Sequence, residues 1–205
     1  MDLSRLIQEH PIIDYNLLCS WLTDYRRPRD KISELLHNKT LVRVKKGLYI
    51  PTNYSGQSLL ILANLIYGPS YVSKETALAF YGMIPERVYE FTSMSHGKKK
   101  IFDTPVGRFS YQTLALPYYS MGTTRLTLAK NDKRGFLIAS KEKALCDLLY
   151  FMKFRDPLEF KDYLEGLRIE QGVLDKLNLP LIRQLSESSK RHSLDLLCKS
   201  LEAGQ

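Results

Sequence analysis

The stretch DYRRPRDKISELLHNKTLVRVKKGLYIP, residues 24–51, decides how the N-terminal part of this chain folds. Ile32, Leu35 and Leu36 follow the i, i+3, i+4 spacing of a single helix face. We therefore predict a helix over residues 28–37 that buries these three side chains and presents its other positions to solvent.

The segment LVRVKKGLYI, residues 41–50, predicts a hairpin directly after that helix. Strand-forming residues lie on both sides of Gly47, and glycine accepts the positive φ that a tight turn requires. Lys45 and Lys46 stand at the tip. A helix followed by a basic hairpin is typical of the winged helix-turn-helix, so we predict such a DNA-binding domain over residues 1–52.

Positive charge is concentrated in the same stretch. Residues 26–46 hold eight lysines and arginines against two acids, a balance of +6 in a chain whose net charge is +8. Such a cluster favours binding to a phosphate backbone, because each neutralised phosphate releases condensed counterions. The alternative is a solvated basic surface that binds nothing.

The place of each residue in this stretch suggests its role on DNA. We expect the helix in the major groove, with base edges contacted by Arg29, Lys31 and Ser33. Phosphate contacts are expected from Arg26, Arg27, Lys39 and Arg43. The hairpin tip is expected to rest on the backbone or in the minor groove through Lys45 and Lys46. A second candidate contact lies on two later loop tips, at Lys98, Lys99, Lys100, Lys130, Lys133 and Arg134.

Downstream of a Thr-, Asn-, Ser- and Gly-rich linker at residues 52–56, the sequence pattern changes twice. Apolar helices are predicted first. Between residues 90 and 140 the period becomes two, which indicates strands, and from Ser140 onward helices return. The whole predicts an α+β protein: the N-terminal winged helix-turn-helix, then a larger mixed α/β domain over residues 56–205 with a mostly antiparallel sheet and a helical C-terminus.

The composition is that of a globular chain, with 205 residues, 44% hydrophobic and 25% charged. No apolar run approaches the length of a membrane span, and the N-terminus lacks the core of a signal peptide, so we expect a cytoplasmic protein without a membrane partner. Cys19, Cys146 and Cys198 are far apart and set among leucines, which favours buried thiols over a disulfide or a zinc site. We expect neither a metal nor another cofactor.

Motifs of catalysis are missing from the sequence. It contains no Walker A loop, no GxGxxG, no GxSxG and no HExxH, so we expect no catalytic residue and no enzyme. The nearest approach to a nuclease is Asp147 with Glu159 and Lys161, an acid followed by an ExK arrangement. That arrangement requires a strand, whereas the spacing of residues 154–167 predicts a helix. A metal-dependent nuclease targeted by a winged helix is the alternative function, and a protein-interaction adaptor is a third hypothesis.

Four segments carry a resemblance to a known family: LVRVKKGLYIP at 41–51, YVSKETALAFYGMIP at 71–85, TPVGRFSYQ at 104–112 and FLIASKEKALCDLLY at 136–150. In order and spacing they resemble the AbiEi-like antitoxins and transcriptional regulators of type IV toxin-antitoxin (abortive infection) systems. The likeness covers roughly residues 10–150.

The resemblance implies a winged-helix domain that binds inverted repeats in the promoter of its own operon and represses it. It also implies that the larger domain counters a nucleotidyltransferase-type toxin encoded beside it, without stable contact between the two proteins. The inverted repeats allow a dimer on the double-stranded DNA. The positions that match the family's DNA-binding part are Arg26, Arg27, Arg29, Lys31, Lys45 and Lys46.

Overall fold

The computed structural model describes residues 3–54, 59–86, 88–128 and 135–203. Its helices, in chain order, are α1 (Leu3–Glu9), α2 (Tyr15–Trp21), α3 (Pro28–His37), α4 (Leu59–Ile66), α5 (Lys74–Phe80), α6 (Lys141–Tyr150), α7 (Pro157–Gly166), α8 (Gln171–Leu174), α9 (Leu179–Ser189) and α10 (His192–Ala203). Its strands are β1 (Ile13–Asp14), β2 (Leu41–Lys45), β3 (Leu48–Pro51), β4 (Ser70–Val72), β5 (Glu90–Ser95), β6 (Lys100–Thr104), β7 (Gly107–Thr113), β8 (Thr123–Thr127) and β9 (Gly135–Ala139).

A three-stranded antiparallel sheet organises the N-terminal part, in the order β1–β3–β2. The predicted hairpin is confirmed, because β2 pairs with β3 and Gly47 closes the turn with a φ of +83°. β1 joins on the other side of β3 and places Ile13 opposite Tyr49. The predicted helix over residues 28–37 is confirmed as α3. Together these elements enclose a buried cluster made of Leu6, Ile13, Leu18, Leu22, Ile32, Leu35, Leu41 and Tyr49.

A six-stranded mixed sheet organises the larger part, in the order β6–β7–β5–β4–β9–β8. The β5–β7 and β4–β9 pairs are parallel, and the other three pairs are antiparallel. Over the two sheets most strand pairs are therefore antiparallel. This confirms the predicted α+β class with a mostly antiparallel sheet, and the run from α6 to α10 confirms the helical C-terminal region.

Helix α4 packs on the sheet and is buried almost all round, as its apolar sequence predicts. Leu62 and Ala63 are completely buried. The Tyr111 hydroxyl on β7 donates to the carbonyl oxygen of Ala63 at 2.5 Å. A buried phenol needs such a partner, and here the hydrogen bond connects α4 to strand β7.

Two serines that directly precede helices behave differently. Ser140 caps α6, because its Oγ accepts a hydrogen bond from the backbone N–H of Lys143 at 3.2 Å. Ser73 occupies the N-cap position of α5, but its hydroxyl makes no capping bond. It donates instead to Oδ2 of Asp147 at 2.7 Å. A buried carboxylate without hydrogen-bond donors costs more free energy than an uncapped helix N-terminus. The Ser73 hydroxyl therefore bonds to Asp147 and does not cap α5.

The sequence pattern did not predict strands β1, β4 and β6. Strand β6 begins at Lys100, which we predicted on a loop tip, and it pairs only with β7 at the edge of the sheet. Its side chains are mostly exposed, and Ile101 is 46% exposed. Such an edge strand has no buried alternate face, so the period of two that identifies a strand is absent.

The hairpin packs on both of its faces. Leu41 and Tyr49 belong to the N-terminal cluster, whereas Val44, Leu48 and Ile50 belong to the large buried cluster that contains α4. Every residue of β3 is buried as a result. The hairpin thus packs against both parts of the chain. The division into domains 1–52 and 56–205 stays a prediction.

Some predictions fall on residues outside the described part of the chain. These are positions 55 and 56 of the predicted linker and the loop-tip cations Lys130, Lys133 and Arg134. Within the described ranges, none of the helices has the length and apolar character needed to cross a bilayer.

Candidate nucleic-acid interface

Helix α3 carries the candidate interface, and its sequence explains its orientation. Pro28 occupies the first turn, where its missing N–H costs nothing. Ile32 and Leu35 are each 5% exposed and anchor the helix in the N-terminal cluster. The other side of the helix is therefore left in solvent, and both Arg29 and Ser33 are exposed there.

Four of the predicted DNA-binding cations gather around the start of α3. A shallow depression of about 320 Å³ is bordered by Arg26, Arg27 and Lys31. A second one, of about 340 Å³, is bordered by Arg27 and Arg29. Asp30 lies at both, and its carboxylate is 3.8 Å from Arg27. Both side chains of this pair are more than 70% exposed, so water screens it and the arginine stays available to an anion.

Tyr15 connects Arg29 to the hairpin. Its hydroxyl accepts a hydrogen bond from Nε of Arg29 at 3.1 Å, and its backbone N–H donates to the carbonyl oxygen of Gly47 at 3.0 Å. One residue at the start of α2 thus touches both α3 and the hairpin turn. Sequence reasoning missed Tyr15, because residues 14 and 32 positions away in the chain meet there only after folding. No local pattern could have identified it.

Lys31 and Ser33, both predicted to read bases, have partners within the protein. Nζ of Lys31 is 2.6 Å from Glu34, only 23% of its side chain is exposed, and it lies over the ring of Tyr25 at 5.3 Å. The hydrogen bond to Glu34 raises the pKa of Lys31. The Ser33 hydroxyl donates to the carbonyl oxygen of Arg29 at 3.0 Å. Arg29 also has a partner, because its Nε donates to Tyr15, but its side chain is exposed whereas that of Lys31 is half-buried.

The remaining predicted phosphate contacts lie beyond the other end of α3. Lys39 follows the helix with a φ of +54°, Arg43 stands on β2 opposite Tyr49, and Lys46 occupies the hairpin turn. All three cations are exposed. A helix of ten residues is about 15 Å long, so Lys39 is separated from the arginines at the start of α3 by that length.

Lys45 differs from its neighbour Lys46. Its ammonium donates to the carbonyl oxygens of Leu65 at 3.0 Å and Ile66 at 2.5 Å, at the C-terminal end of α4. The side chain is half-buried, and burial lowers the pKa of Lys45. We expected this ammonium on the surface of the hairpin tip. The structure directs it into the larger part of the chain instead, because the carbonyl oxygens that end a helix attract a cation.

The arrangement presents a row of exposed cations to an extended anion. Arg26 and Arg27 just before α3, Arg29 on it, Lys39 in the turn after it, and Arg43 and Lys46 on the hairpin are exposed cations. Arginine forks suit phosphate oxygens and base edges. In the described part of the chain, no group of three or more His, Cys, Asp or Glu side chains is arranged to hold a metal ion. Cys146 and Cys198 are buried as predicted, while Cys19 is only half-buried.

The residues of the nuclease alternative lie in unlike surroundings. Asp147 is completely buried, where it accepts hydrogen bonds from Tyr71 and Ser73. Glu159 accepts instead from the backbone and side chain of Arg155, and the hydrogen bond to that backbone N–H lowers the pKa of Glu159. The ExK residues lie on α7, which confirms the predicted helix.

No protein-family model matches this chain, and no curated protein sequence matches it. The resemblance to AbiEi-like antitoxins accordingly stays a prediction that depends on the four quoted segments.

Proposed function

We propose that this chain is a DNA-binding autorepressor and the antitoxin of a type IV toxin-antitoxin system. Its N-terminal part, through α3 and the β2–β3 hairpin, contacts inverted repeats in the promoter of its own operon. The larger part counters a nucleotidyltransferase-type toxin without stable contact. The protein acts in the cytoplasm, and the repeats allow two copies to bind side by side.

One observation carries the DNA-binding half: six cations just before α3, on α3, in the turn after it and on the hairpin are exposed, and the acids near α3 occupy only part of the set. The order of elements supports it. Helices α2 and α3 followed by the β2–β3 hairpin, with β1 added beside β3, is the order of a winged helix-turn-helix. In such domains the second of the two helices enters the major groove.

The contacts refine the roles of the predicted residues. Arg29 reads base edges, because it is exposed on α3 and oriented by Tyr15. Phosphates are bound by Arg26, Arg27, Lys39 and Arg43, and the hairpin contributes Lys46. Lys31 and Ser33 contact DNA only if they release their hydrogen-bond partners within α3. Lys45 is no longer among the proposed contacts, because α4 binds its ammonium.

The antitoxin half is supported by the segments at 71–85, 104–112 and 136–150 alone. They correspond to β4 with α5, to the β6–β7 turn with β7, and to β9 with α6, so the resemblance covers the centre of the larger part. Co-expression with the product of a neighbouring nucleotidyltransferase-type gene tests this half. We expect growth to be restored without co-purification of the two proteins, and persistent toxicity would contradict it.

A titration of the protein against its own upstream DNA at two salt concentrations tests the DNA-binding half. Arg27→Ala should reduce the salt-dependence slope by about one unit, because one phosphate contact is lost. Arg29→Ala should weaken binding by about 1–3 kcal/mol at one operator position and relax the preference for its base. Lys161→Ala is the control, since this lysine is 70% exposed on α7 of the larger part. Equal binding by the parent and both arginine variants would contradict the proposal.

A further inference from the structure

Lys45 joins the hairpin to helix α4. Of the four carbonyl groups that a helix leaves without an intrahelical partner at its C-terminal end, α4 has two bound by this one ammonium. Helix α4 carries no basic residue of its own in its last turn. The cation that stabilises its negative end is therefore supplied by the hairpin, from 20 residues earlier in the chain.

Apolar packing supports the same connection. Val44 and Leu48, the neighbours of the turn, lie in one buried cluster with α4, and they are 6% and 7% exposed. A hairpin at the edge of a winged helix has one face free, but here that face is covered. The turn is accordingly positioned by the larger part of the chain as well as by the N-terminal cluster.

The turn is connected in the opposite direction to the proposed reading residue. The carbonyl oxygen of Gly47 accepts a hydrogen bond from the backbone N–H of Tyr15, and the Tyr15 hydroxyl accepts one from Nε of Arg29. Contacts therefore run without interruption from the end of α4 through Lys45, the turn and Tyr15 to Arg29.

We propose that Lys45 is a positioning residue for DNA binding: it fixes the hairpin to α4 and thereby sets where Arg29 and Lys46 stand relative to the larger part of the chain. The part of this inference that concerns DNA binding rests on the proposed function. The inference excludes the direct phosphate contact that the position of Lys45 in the sequence suggests. The adjacent Lys46 makes that contact instead.

The experiment compares Lys45→Met with Lys46→Met in the full chain. Both changes remove one positive charge and keep an unbranched side chain, so they differ only in what the ammonium touches. Amide hydrogen exchange of residues 41–51 and 59–66 is followed without DNA, and affinity for the upstream DNA is measured at two salt concentrations. Lys45→Arg is the conservative variant, because it restores a cation with several donors.

For Lys45→Met we expect exchange in both segments to rise about tenfold, since hydrogen bonds from a charged group are lost. DNA affinity should fall while the salt slope stays unchanged. Lys46→Met should leave exchange as in the parent and reduce the slope by about one unit. Lys45→Arg should recover most of the protection and of the affinity.

Two results would overturn the inference: exchange in Lys45→Met that equals that of the parent, or a slope that falls by about one unit as for a lost phosphate contact. If the parent itself fails to bind DNA, the proposed function is wrong, and with it the positioning role. The exchange arm separates the two failures, because it measures the contact with α4 in the absence of DNA.

Discussion

Lys143 and Asp147, one turn apart on α6, form an ion pair with an Nζ–Oδ1 distance of 3.0 Å although both side chains are completely excluded from solvent. The ammonium also donates to the Tyr118 carbonyl oxygen at 2.9 Å and lies 3.2 Å from the centre of the Tyr118 ring. Burial lowers the pKa of Lys143, and the carboxylate of Asp147 opposes that shift. The pair joins α6 to strand β4 and to the segment before β8.

The first prediction concerns this pair. Asp147→Asn should reduce the free energy of unfolding by about 3–5 kcal/mol, because it leaves a buried ammonium without its counter-charge. Denaturant unfolding measures the change. The control is Glu165→Gln, which breaks the Lys161–Glu165 pair at the same i, i+4 spacing on α7, where both side chains are about 70% exposed. That change should cost about 0.5 kcal/mol or less. Equal costs for the two variants would contradict the structural importance of the buried pair.

A glycine beside the same lysine supplies the second prediction. Gly122 has a φ of +64°, and a Cβ there would stand 2.9 Å from Cβ of Lys143. Gly82 has a similar φ of +68° with nothing within 4 Å. Gly82→Ala should therefore cost about 1 kcal/mol for the backbone alone. Gly122→Ala should cost about 1–3 kcal/mol more, because the clash is added. Thermal or denaturant unfolding of both variants decides it, and a Gly122 variant as stable as the Gly82 variant refutes the clash.

The third prediction is a loss of stability in alkali. Burial raises the pKa of Tyr71, Tyr111 and Tyr118, and the Asp147 carboxylate adds to the shift for Tyr71 and Tyr118. Above a pH of about 10 these phenols lose protons in the unfolded chain but keep them in the folded one. The folded state then binds more protons, so stability falls as pH rises, by about 1.4 kcal/mol per pH unit for each phenol.

Denaturant unfolding at several alkaline pH values measures that slope. Tyr111→Phe should reduce the slope by the contribution of one phenol, whereas Tyr89→Phe should not change it, because Tyr89 is 82% exposed. Stability that stays constant up to strongly alkaline pH would count against the burial of these phenols.

The fourth prediction concerns Lys31. Glu34 holds the Lys31 ammonium at 2.6 Å on the proposed DNA-binding face. Glu34→Gln should free this ammonium and remove a charge that repels phosphate, so the affinity for the upstream DNA rises and the salt slope steepens by about one unit. Glu165→Gln, far along the chain on α7, serves as the charge-matched control. Unchanged affinity would exclude Lys31 from the contact set.

Much of the secondary structure was predictable from local pattern. The apolar spacing of Ile32, Leu35 and Leu36 identified α3 at its observed bounds, and the period of two that begins at residue 90 indicated β5. The exposed edge strand β6 was not predictable, since it lacks a buried face. The short strand β4 was missed for another reason: buried throughout its three residues, it carries no alternation at all.

The candidate site was predictable only as a set of residue types. Eight cations in 21 positions suggested an anionic partner, but sequence position gave Lys45 and Lys46 the same role. Folding separates them, because adjacent residues of a hairpin meet different surroundings when one face of the hairpin is covered by another part of the chain. Tyr15 acquires its place beside Arg29 in the same way, through contacts between distant residues.

By itself, then, the sequence determined the local elements and the concentration of positive charge, because helix periodicity, turn glycines and side-chain charge are properties of neighbouring residues. The tertiary structure alone decided which cations stay free and which carboxylates become buried. The outcome depends on which distant surfaces pack together. Packing of the hairpin against α4 brings the Lys45 ammonium to the carbonyl oxygens of that helix, and packing of α6 against the rest of the larger part buries Asp147 with Lys143.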